Sequence, residues 1–248
     1  MAVFLTGGAG SLGKAVLAAF LERGSDVVVV DLEHEAVQTA AAEAADGKAA
    51  RAFGVACDIT DVESIQAAWS SGEDELGQID VVVNTAGVIK PTPIIELSVE
   101  QWRHTIDVNL TGLFLVCQHA ARSWIPAQVE GAIVNVASTA AYSVTDTVEA
   151  IDYGASKAGV VGVTLHLAVH LGKYGIRANA IAPASFRSRM NEERLKDPEM
   201  LEKALKMVPL HRLADAGEVA SSCVYLALDA PYVNGVLIPV DGGTAARM

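Results

Sequence analysis

The chain has 248 residues, 51% of them hydrophobic, which is enough for the core of one large α/β domain or of two small ones. Its net charge of −12 argues against nucleic acid or an anionic membrane surface as a partner, because both carry negative charge themselves. The sequence has no apolar stretch of membrane-spanning length and no leader pattern, and its three cysteines are far apart, so we expect a cytoplasmic protein with reduced thiols.

Short runs rich in valine and isoleucine alternate with longer, alanine-rich amphipathic stretches. The predicted strands, in chain order, are "AVFLTG", "DVVVVD", "RAFGVACD", "IDVVVNTAG", "GAIVNVAS", "IRANAIAP" and "VLIPVDGG". Nearly all are apolar on both faces, which is typical of parallel strands that are covered by helices on each side. Because no linker, repeat or change in composition marks a boundary, residues 1–248 are predicted to form a single Rossmann-type α/β domain, a doubly wound parallel sheet of about seven strands.

Helix starts are marked by predicted capping boxes at Thr60–Glu63, Ser98–Gln101 and Asp215–Glu218. The segment "SFRSRMNEERLKDPEMLEKALKMVPLHRL" is the most charged part of the second half and interrupts the alternation of strands and helices. We therefore expect a substrate lid at about residues 184–212.

The stretch "TGGAGSLG" at residues 6–13 lies between the first predicted strand and the first predicted helix. A glycine-rich turn at this point lets backbone N–H groups approach a pyrophosphate at the positive end of the helix. Gly8, Gly10 and Gly13 have the GxGxxG spacing, and the second strand ends in Asp31, which can accept hydrogen bonds from an adenosine ribose. The pattern favours a dinucleotide site over a purely structural turn.

Charge near Asp31 predicts which dinucleotide is bound. A carboxylate repels the 2′-phosphate of NADP and accepts a hydrogen bond from the free hydroxyl of NAD. Leu32 and Glu33 follow Asp31, Ser11 lies in the glycine loop, and Lys14 is the basic residue nearby. The predicted cofactor is therefore NAD.

The stretch "YGASKAG" places Tyr153 and Lys157 four residues apart, so on a helix they share one face. A nearby ammonium lowers the pKa of a phenol, which lets the phenolate accept a proton from an alcohol. Ser138 ends a predicted strand, at the sheet edge where a substrate oxygen would lie. Taken singly, the tyrosine and lysine also fit a solvated helix face, and the serine also fits a turn.

Together the motifs resemble the short-chain dehydrogenase/reductase family along the whole chain. The residues that carry the resemblance are, in order, the loop 6–13, Asp31, Asp58, the "NTAG" of residues 84–87, Asn109, Ser138, Tyr153, Lys157 and Pro183. The resemblance implies that Tyr153 is the acid/base, that Lys157 lowers its pKa and binds the ribose, and that Ser138 orients the substrate oxygen. It also implies a relay water held by Asn109 behind Lys157.

The resemblance further implies a set of cofactor-binding residues, in which Asp58 meets the adenine and Asn84 lines the ribose with Gly87. The full set is Gly7, Gly10, Ser11, Leu12, Gly13, Asp31, Asp58, Ile59, Asn84, Ala86, Gly87, Tyr153, Lys157, Pro183, Phe186 and Ser188. Two positions depart from the compact family pattern: Ser11 replaces a glycine, and Ala184 follows Pro183 where glycine is common. The resulting TGxxGxxG spacing is typical of the extended, nucleotide-sugar branch, but the chain lacks that branch's extra substrate domain, so we interpret it as a local variant.

The substrate is expected to be a hydrophobic secondary alcohol or ketone, aryl or alicyclic, because the segments around the predicted site are largely apolar. Its candidate contacts are Ser138, Tyr142, Ile151 and Arg187. Arg187 and Arg189 could pair with a substrate carboxylate or could be surface charges of the lid.

Two alternative functions remain open at this point. A 3-oxoacyl reductase that meets an acyl-carrier protein would favour NADPH and a basic docking patch, and a cofactor-sensing regulatory protein would lack the complete set of tyrosine, lysine and serine. No metal is predicted, since His166 and His170 have no acidic or thiol neighbour in sequence. The resemblance implies that the helices near Ser98 and Tyr153 pair across two-fold axes, giving a homotetramer or a homodimer.

Overall fold

The computed structural model describes residues 1–144, 148–186 and 196–247. A seven-stranded sheet forms its centre, in the spatial order β3-β2-β1-β4-β5-β6-β7, and every neighbouring pair is parallel. The strands are β1 (Ala2–Thr6), β2 (Asp26–Asp31), β3 (Ala52–Ala56), β4 (Ile79–Asn84), β5 (Ala132–Val136), β6 (Arg177–Pro183) and β7 (Leu237–Val240). Each lies within one of the predicted runs, so the prediction of a doubly wound parallel sheet is confirmed.

Helices connect the strands along the chain. In the described ranges they are α1 (Ser11–Glu22), α2 (His34–Ala45), α3 (Val62–Leu76), α4 (Val99–Ile106), α5 (Leu113–Ala127), α6 (Ile151–Leu171), α7 (Pro198–Met207) and α8 (Ala216–Val224). A π-helical turn, Asp107–Gly112, joins α4 to α5, and a second one, Tyr225–Asp229, follows α8. None of the helices described here is both long enough and apolar enough to cross a membrane.

The sheet is buried on both faces because side chains alternate along each strand. In β1, Val3 and Leu5 pack with α1 on one side, whereas Phe4 packs with Trp69 of α3 on the other. Helices cover both faces of the central strands, which explains their largely apolar sequences.

The capping predictions had mixed outcomes. Asp215 and Glu218 form a complete capping box at α8, and Ser98 accepts a hydrogen bond from the Gln101 N–H at α4. The box predicted at Thr60 was wrong, because the Thr60 hydroxyl donates to Asp58 and the next residue, Asp61, caps α3.

The three cysteines, Cys57, Cys117 and Cys223, are free and buried, as expected. Burial raises the pKa of Cys57 to about 11 and those of Cys117 and Cys223 to about 12. Within the described part of the chain, no group of three or more histidine, cysteine or carboxylate side chains could hold a metal ion.

The topology places a crevice at the carboxyl ends of the central strands. From β1 the chain proceeds outward to β2 and β3, and then returns to place β4 on the other side of β1. The loops after β1 and β4 therefore separate in opposite directions, which is where open α/β sheets bind their ligands.

Candidate active site

A cavity of about 1590 Å³ opens at this switch point. Single small-molecule sites usually measure about 300–1,000 Å³, so this cavity has room for more than one ligand. The predicted site residues on its wall are Gly7, Gly10, Ser11, Leu12, Gly13, Asp31, Asp58, Ile59, Ala86, Gly87, Ser138, Ile151, Tyr153, Lys157, Pro183 and Phe186. The side chains of Asn84, Asn109 and Tyr142 do not line it, and Arg187, Ser188 and Arg189 lie outside the described residues.

The glycine loop is shaped by contacts that exclude side chains. Gly7 has φ of +67°, and a Cβ atom there would lie 2.6 Å from the backbone N of Ala86. A Cβ atom on Gly13 would overlap the carbonyl oxygen of Gly7, so α1 packs closely against the loop. Gly10 is the N-cap residue of α1 and brings no capping side chain. The bare loop at a helix N-terminus fits the pyrophosphate of a dinucleotide.

Asp31 ends β2 beside this loop. Its Oδ2 accepts a hydrogen bond from the Ala9 N–H at 3.1 Å, and its Oδ1 accepts one from the Leu32 N–H at 2.9 Å. The nearby Lys14 is 3.8 Å from Glu43, an exposed ion pair on the surface. The Asp31 carboxylate therefore lies at the cavity wall where β2 ends, and Lys14, the basic residue nearby in sequence, is paired with Glu43 instead.

The loop after β3 supplies Asp58 and Ile59. Asp58 Oδ1 accepts hydrogen bonds from the backbone N–H and the hydroxyl of Thr60, at 2.8 and 2.7 Å, and the Asp58 N–H donates to Ser64 Oγ. Ile59 is buried against Gly112 of the π-helical turn. These contacts fix the loop that forms the cavity wall next to Asp31.

The side chain of Asn84 is buried in the sheet and does not line the cavity, so a contact of this residue with the ribose stays a prediction. The residue is only 2% exposed, and its Nδ2 donates to Asn135 Oδ1 at 2.9 Å across the β4–β5 pair. Asn135 in turn donates to Thr164 of α6 at 2.9 Å. A buried amide must satisfy its hydrogen bonds inside the sheet, and a pattern such as "NTAG" does not reveal which way the first side chain points.

Asn109 lies in the π-helical turn and holds the loop after β4. Its Oδ1 accepts from the Val88 N–H at 2.7 Å, and its Nδ2 donates to the Val88 carbonyl at 2.9 Å and to Ser156 Oγ at 3.1 Å. The side chain is fully buried next to Gly87, where a Cβ atom would lie 3.2 Å from Asn109 Oδ1 and 3.4 Å from Lys157 Nζ. Asn109 and Lys157 therefore both face Gly87, and Asn109 connects the β4 loop to α6.

Tyr153 and Lys157 project from the first two turns of α6. The Lys157 Nζ lies 5.7 Å from the centroid of the Tyr153 ring and donates a hydrogen bond to the Val136 carbonyl at 2.8 Å. The Ser138 hydroxyl lies beside the Tyr153 phenol and favours its charged form. The structure thus brings the tyrosine, the lysine and the serine to one point on the cavity wall.

Burial dominates the electrostatics of this trio. It lowers the pKa of Lys157 to about 8. Burial also raises the pKa of Tyr153, and the neighbouring Ser138 hydroxyl opposes that rise. The lowering of the Tyr153 pKa by Lys157 and a positively charged nicotinamide therefore stays a prediction for the enzyme with its cofactor bound.

The other half of the cavity is formed by segments that are distant in sequence. Ile151 lies on it as expected, whereas Tyr142 is 41% exposed and is not part of the wall. Within the segment predicted as a lid, sequence reasoning did not name the residues of α7 that line the cavity, which are Met200, Lys203, Ala204 and Met207. Their i, i+3, i+4, i+7 spacing is the signal that could have identified them.

Comparisons with known proteins agree with this geometry. A family model described as enoyl-(acyl carrier protein) reductase matches residues 7–245. The chain is 38% identical to D-threitol dehydrogenase of Mycolicibacterium smegmatis over 240 residues, which cover 96% of this chain and 90% of the relative. It is 34% identical to 3beta-hydroxysteroid dehydrogenase 1 of Eggerthella lenta over 245 residues, with 97% and 92% covered.

A solved structure is also similar to this chain over nearly its whole length. The crystal structure of a short-chain type dehydrogenase/reductase from Mycobacterium marinum has a TM-score of 0.92 to this chain at 29% sequence identity, with 98% of this chain and 94% of that one covered. The chain therefore belongs to the short-chain dehydrogenase/reductase family, whose members are oxidoreductases that use NAD or NADP.

Proposed function

We propose that the protein is an NAD-dependent dehydrogenase that interconverts a secondary alcohol and a ketone. The observation that carries the proposal is the convergence of Ser138, Tyr153 and Lys157 on a cavity whose opposite end contains the bare glycine loop and Asp31. One end has the shape and charge for a dinucleotide, and the other has the groups that move a proton to or from a substrate oxygen.

NAD is favoured over NADP by the charges at the end of β2. The Asp31 carboxylate repels a 2′-phosphate, and Lys14 is paired with Glu43 on the surface. Gly7, Gly10 and Gly13 would hold the pyrophosphate, and Asp58 and Ile59 would meet the adenine. When bound, the nicotinamide accepts or donates the hydride.

The protein's own groups would manage the proton. In alcohol oxidation, Tyr153 Oη accepts the hydroxyl proton while the Ser138 hydroxyl holds the substrate oxygen by a hydrogen bond. Burial disfavours the phenolate, so the charged ammonium of Lys157 has to stabilise it across the 5.7 Å that separates Nζ from the ring centroid. Asn109 holds Gly87 and Val88 in place beside Lys157 and would order a relay water there.

A hydrophobic substrate, aryl or alicyclic, suits the remaining wall. Ile94, Val144, Ile151, Met200 and Met207 lie on it and are exposed. Exposed apolar side chains around a cavity are typical of sites that bind apolar ligands. The relatives' names extend from threitol to a hydroxysteroid, so the family does not decide this point.

A reductase linked to an acyl-carrier protein is the second candidate, because the matching family model carries that description. Against it stand Asp31, which disfavours NADPH, and the net charge of −12, which disfavours docking of an acidic carrier protein. A cofactor-sensing regulatory role would leave the complete trio of tyrosine, lysine and serine unexplained.

A panel of alcohols with each coenzyme tests the proposal. We expect turnover of aryl or alicyclic secondary alcohols with NAD, and little turnover of sugars or hydroxyacyl thioesters. Preferred turnover of hydroxyacyl thioesters with NADP would favour the second candidate, and no turnover of any member with intact NAD binding would favour the regulatory role.

A homotetramer or homodimer in the cytoplasm is part of the proposal. Apolar side chains on α4, α5 and α6 are exposed, namely Val99, Trp102, Phe114, Leu165 and Val169. Pairing of these helices between copies would cover them. Sedimentation at micromolar concentration tests it, and a monomer would contradict it.

A further inference from the structure

The catalytic tyrosine lies on a part of α6 that has little intrinsic helical stability. Tyr153 is in the first turn of α6, where backbone N–H groups lack partners within the helix, and Gly154 follows it. The N-cap residue, Ala150, forms no side-chain hydrogen bond. The position of this turn must therefore be fixed by contacts from outside the helix.

Asp152 provides such a contact. The residue is 1% exposed, and its Oδ2 accepts a hydrogen bond from the hydroxyl of Thr105 on α4 at 2.7 Å. Its Oδ1 accepts from the backbone N–H of Tyr153 itself, at 2.9 Å. The carboxylate lies at the positive end of a long helix, which stabilises its charge, and each of its oxygens has a donor.

The other anchors of α6 hold positions further along the helix. Ser156 is held by Asn109, Lys157 by the Val136 carbonyl, and Thr164 by Asn135. Among the described residues, the bond from Thr105 to Asp152 is the side-chain hydrogen bond that joins the residues before Ser156 to a neighbouring helix. Enzymes lose activity when a catalytic group moves by about 0.5–1 Å, so loss of this hydrogen bond would lower kcat by shifting Tyr153.

We propose that Asp152 and Thr105 form a positioning pair that fixes the first turn of α6, and with it the Tyr153 hydroxyl, against α4. The proposal rests on the proposed function, since it assigns the pair to the reaction of Tyr153. Neither residue touches the cavity, so the pair acts through the tyrosine and not on the substrate.

Thr105→Val tests the pair, because it keeps the shape of the side chain and removes the hydrogen bond to Asp152. Its matched control is Thr164→Val, which removes a buried hydrogen bond between the same helix and β5, about three turns from Tyr153. Both threonines are 1% exposed, so the two substitutions should cost similar stability. The measurements are thermal unfolding, the NAD dissociation constant, and kcat and KM for a secondary alcohol that the wild-type enzyme oxidises.

We expect Thr105→Val to lower kcat by roughly tenfold or more while NAD affinity and KM stay within about twofold. Thr105→Ser, which restores the hydroxyl, should recover most of kcat. Thr164→Val should lose comparable stability and keep kcat within about twofold. Equal kcat in Thr105→Val and Thr164→Val would overturn the proposal.

Two further variants keep the outcome decisive. If Thr105→Val does not fold, Asp152→Ala removes both hydrogen bonds of the carboxylate, and unchanged kcat in that variant would equally overturn the pair. Tyr153→Phe separates the two levels of inference. If Tyr153→Phe keeps turnover, the proposed function fails; if it loses turnover while Thr105→Val does not, only the positioning pair fails.

Discussion

The two halves of the cavity are made from different parts of the polypeptide. The proposed cofactor half consists of the loops after β1, β2 and β3, in which bare backbone and a few carboxylates form the wall. The proposed substrate half consists of apolar side chains from the loop after β4, from the loop before α6 and from one face of α7. Backbone geometry imposes strict residue choices on the first half, whereas many apolar side chains can form the second. Between them lie Ser138, Tyr153 and Lys157, which both halves need.

The largest expected effect is at the junction of the two halves. Tyr153→Phe keeps the ring and its packing but removes the proton acceptor, so we expect kcat to fall roughly a hundredfold or more while NAD still binds. Steady-state kinetics and fluorescence titration with NAD measure the two quantities. Tyr174→Phe removes an exposed phenol just after α6 and should leave kcat unchanged. Near-normal turnover in Tyr153→Phe would mean that the proton goes elsewhere.

The next effect concerns the buried charge of Lys157. Burial lowers its pKa to about 8 in the folded protein, so burying the charged ammonium reduces the free energy of unfolding at pH 7. This penalty disappears as the pH rises, because the folded protein releases the proton at a lower pH than the unfolded chain does. Lys157→Met removes the charge at every pH. Its stability relative to wild type should therefore decrease by about 2 kcal/mol between pH 7 and pH 10.

Urea unfolding of both proteins across this pH range measures the difference. The three buried thiols also titrate, but their pKa values are raised and their contribution is common to both proteins. Lys173→Met, at an exposed lysine in the turn that follows α6, should show the pH dependence of wild type. A difference between Lys157→Met and wild type that does not change with pH would contradict the prediction.

The cofactor half is tested at Asp31. If its carboxylate faces the adenosine ribose, kcat/KM should favour NAD over NADP by at least tenfold, about 1.4 kcal/mol. Asp31→Ala should narrow the gap, mainly by improving kcat/KM with NADP. Glu33→Gln, which neutralises a neighbouring exposed carboxylate, should leave the preference in place. Equal efficiency with both coenzymes in the wild-type enzyme would refute the assignment.

Most of the fold was predictable because the strands are buried on both faces and so consist of continuous apolar residues. The glycine loop was predictable for a related reason: Gly7 and Gly13 stand where a Cβ atom does not fit. The side chains of Asn84 and Tyr142 do not line the cavity, because a local motif does not determine whether a side chain points into the sheet, into the cavity or into solvent. The Asp152–Thr105 bond joins two helices that are 47 residues apart in sequence, and no spacing rule predicts it.

The smallest expected effect is in the substrate half. Met207 lies on the cavity-facing side of α7, one turn beyond Lys203, and its flexible thioether can adapt to apolar ligands of different shape. Met207→Ala should raise KM for an aryl or alicyclic alcohol by roughly three- to tenfold, since the lost contact contributes to substrate binding more than to the reaction itself. NAD affinity should not change, because the cofactor half is made by other segments.

Glu202→Gln is the matched control on the same helix, since Glu202 is exposed, pairs with Lys206 and does not line the cavity. It should leave both KM values as they are. If Met207→Ala weakens NAD binding as much as alcohol binding, the two halves are not independent and α7 covers the cofactor as well as the substrate. If it changes neither constant, the alcohol binds against the rest of the apolar wall, and the apolar face of α7 has no part in selecting it.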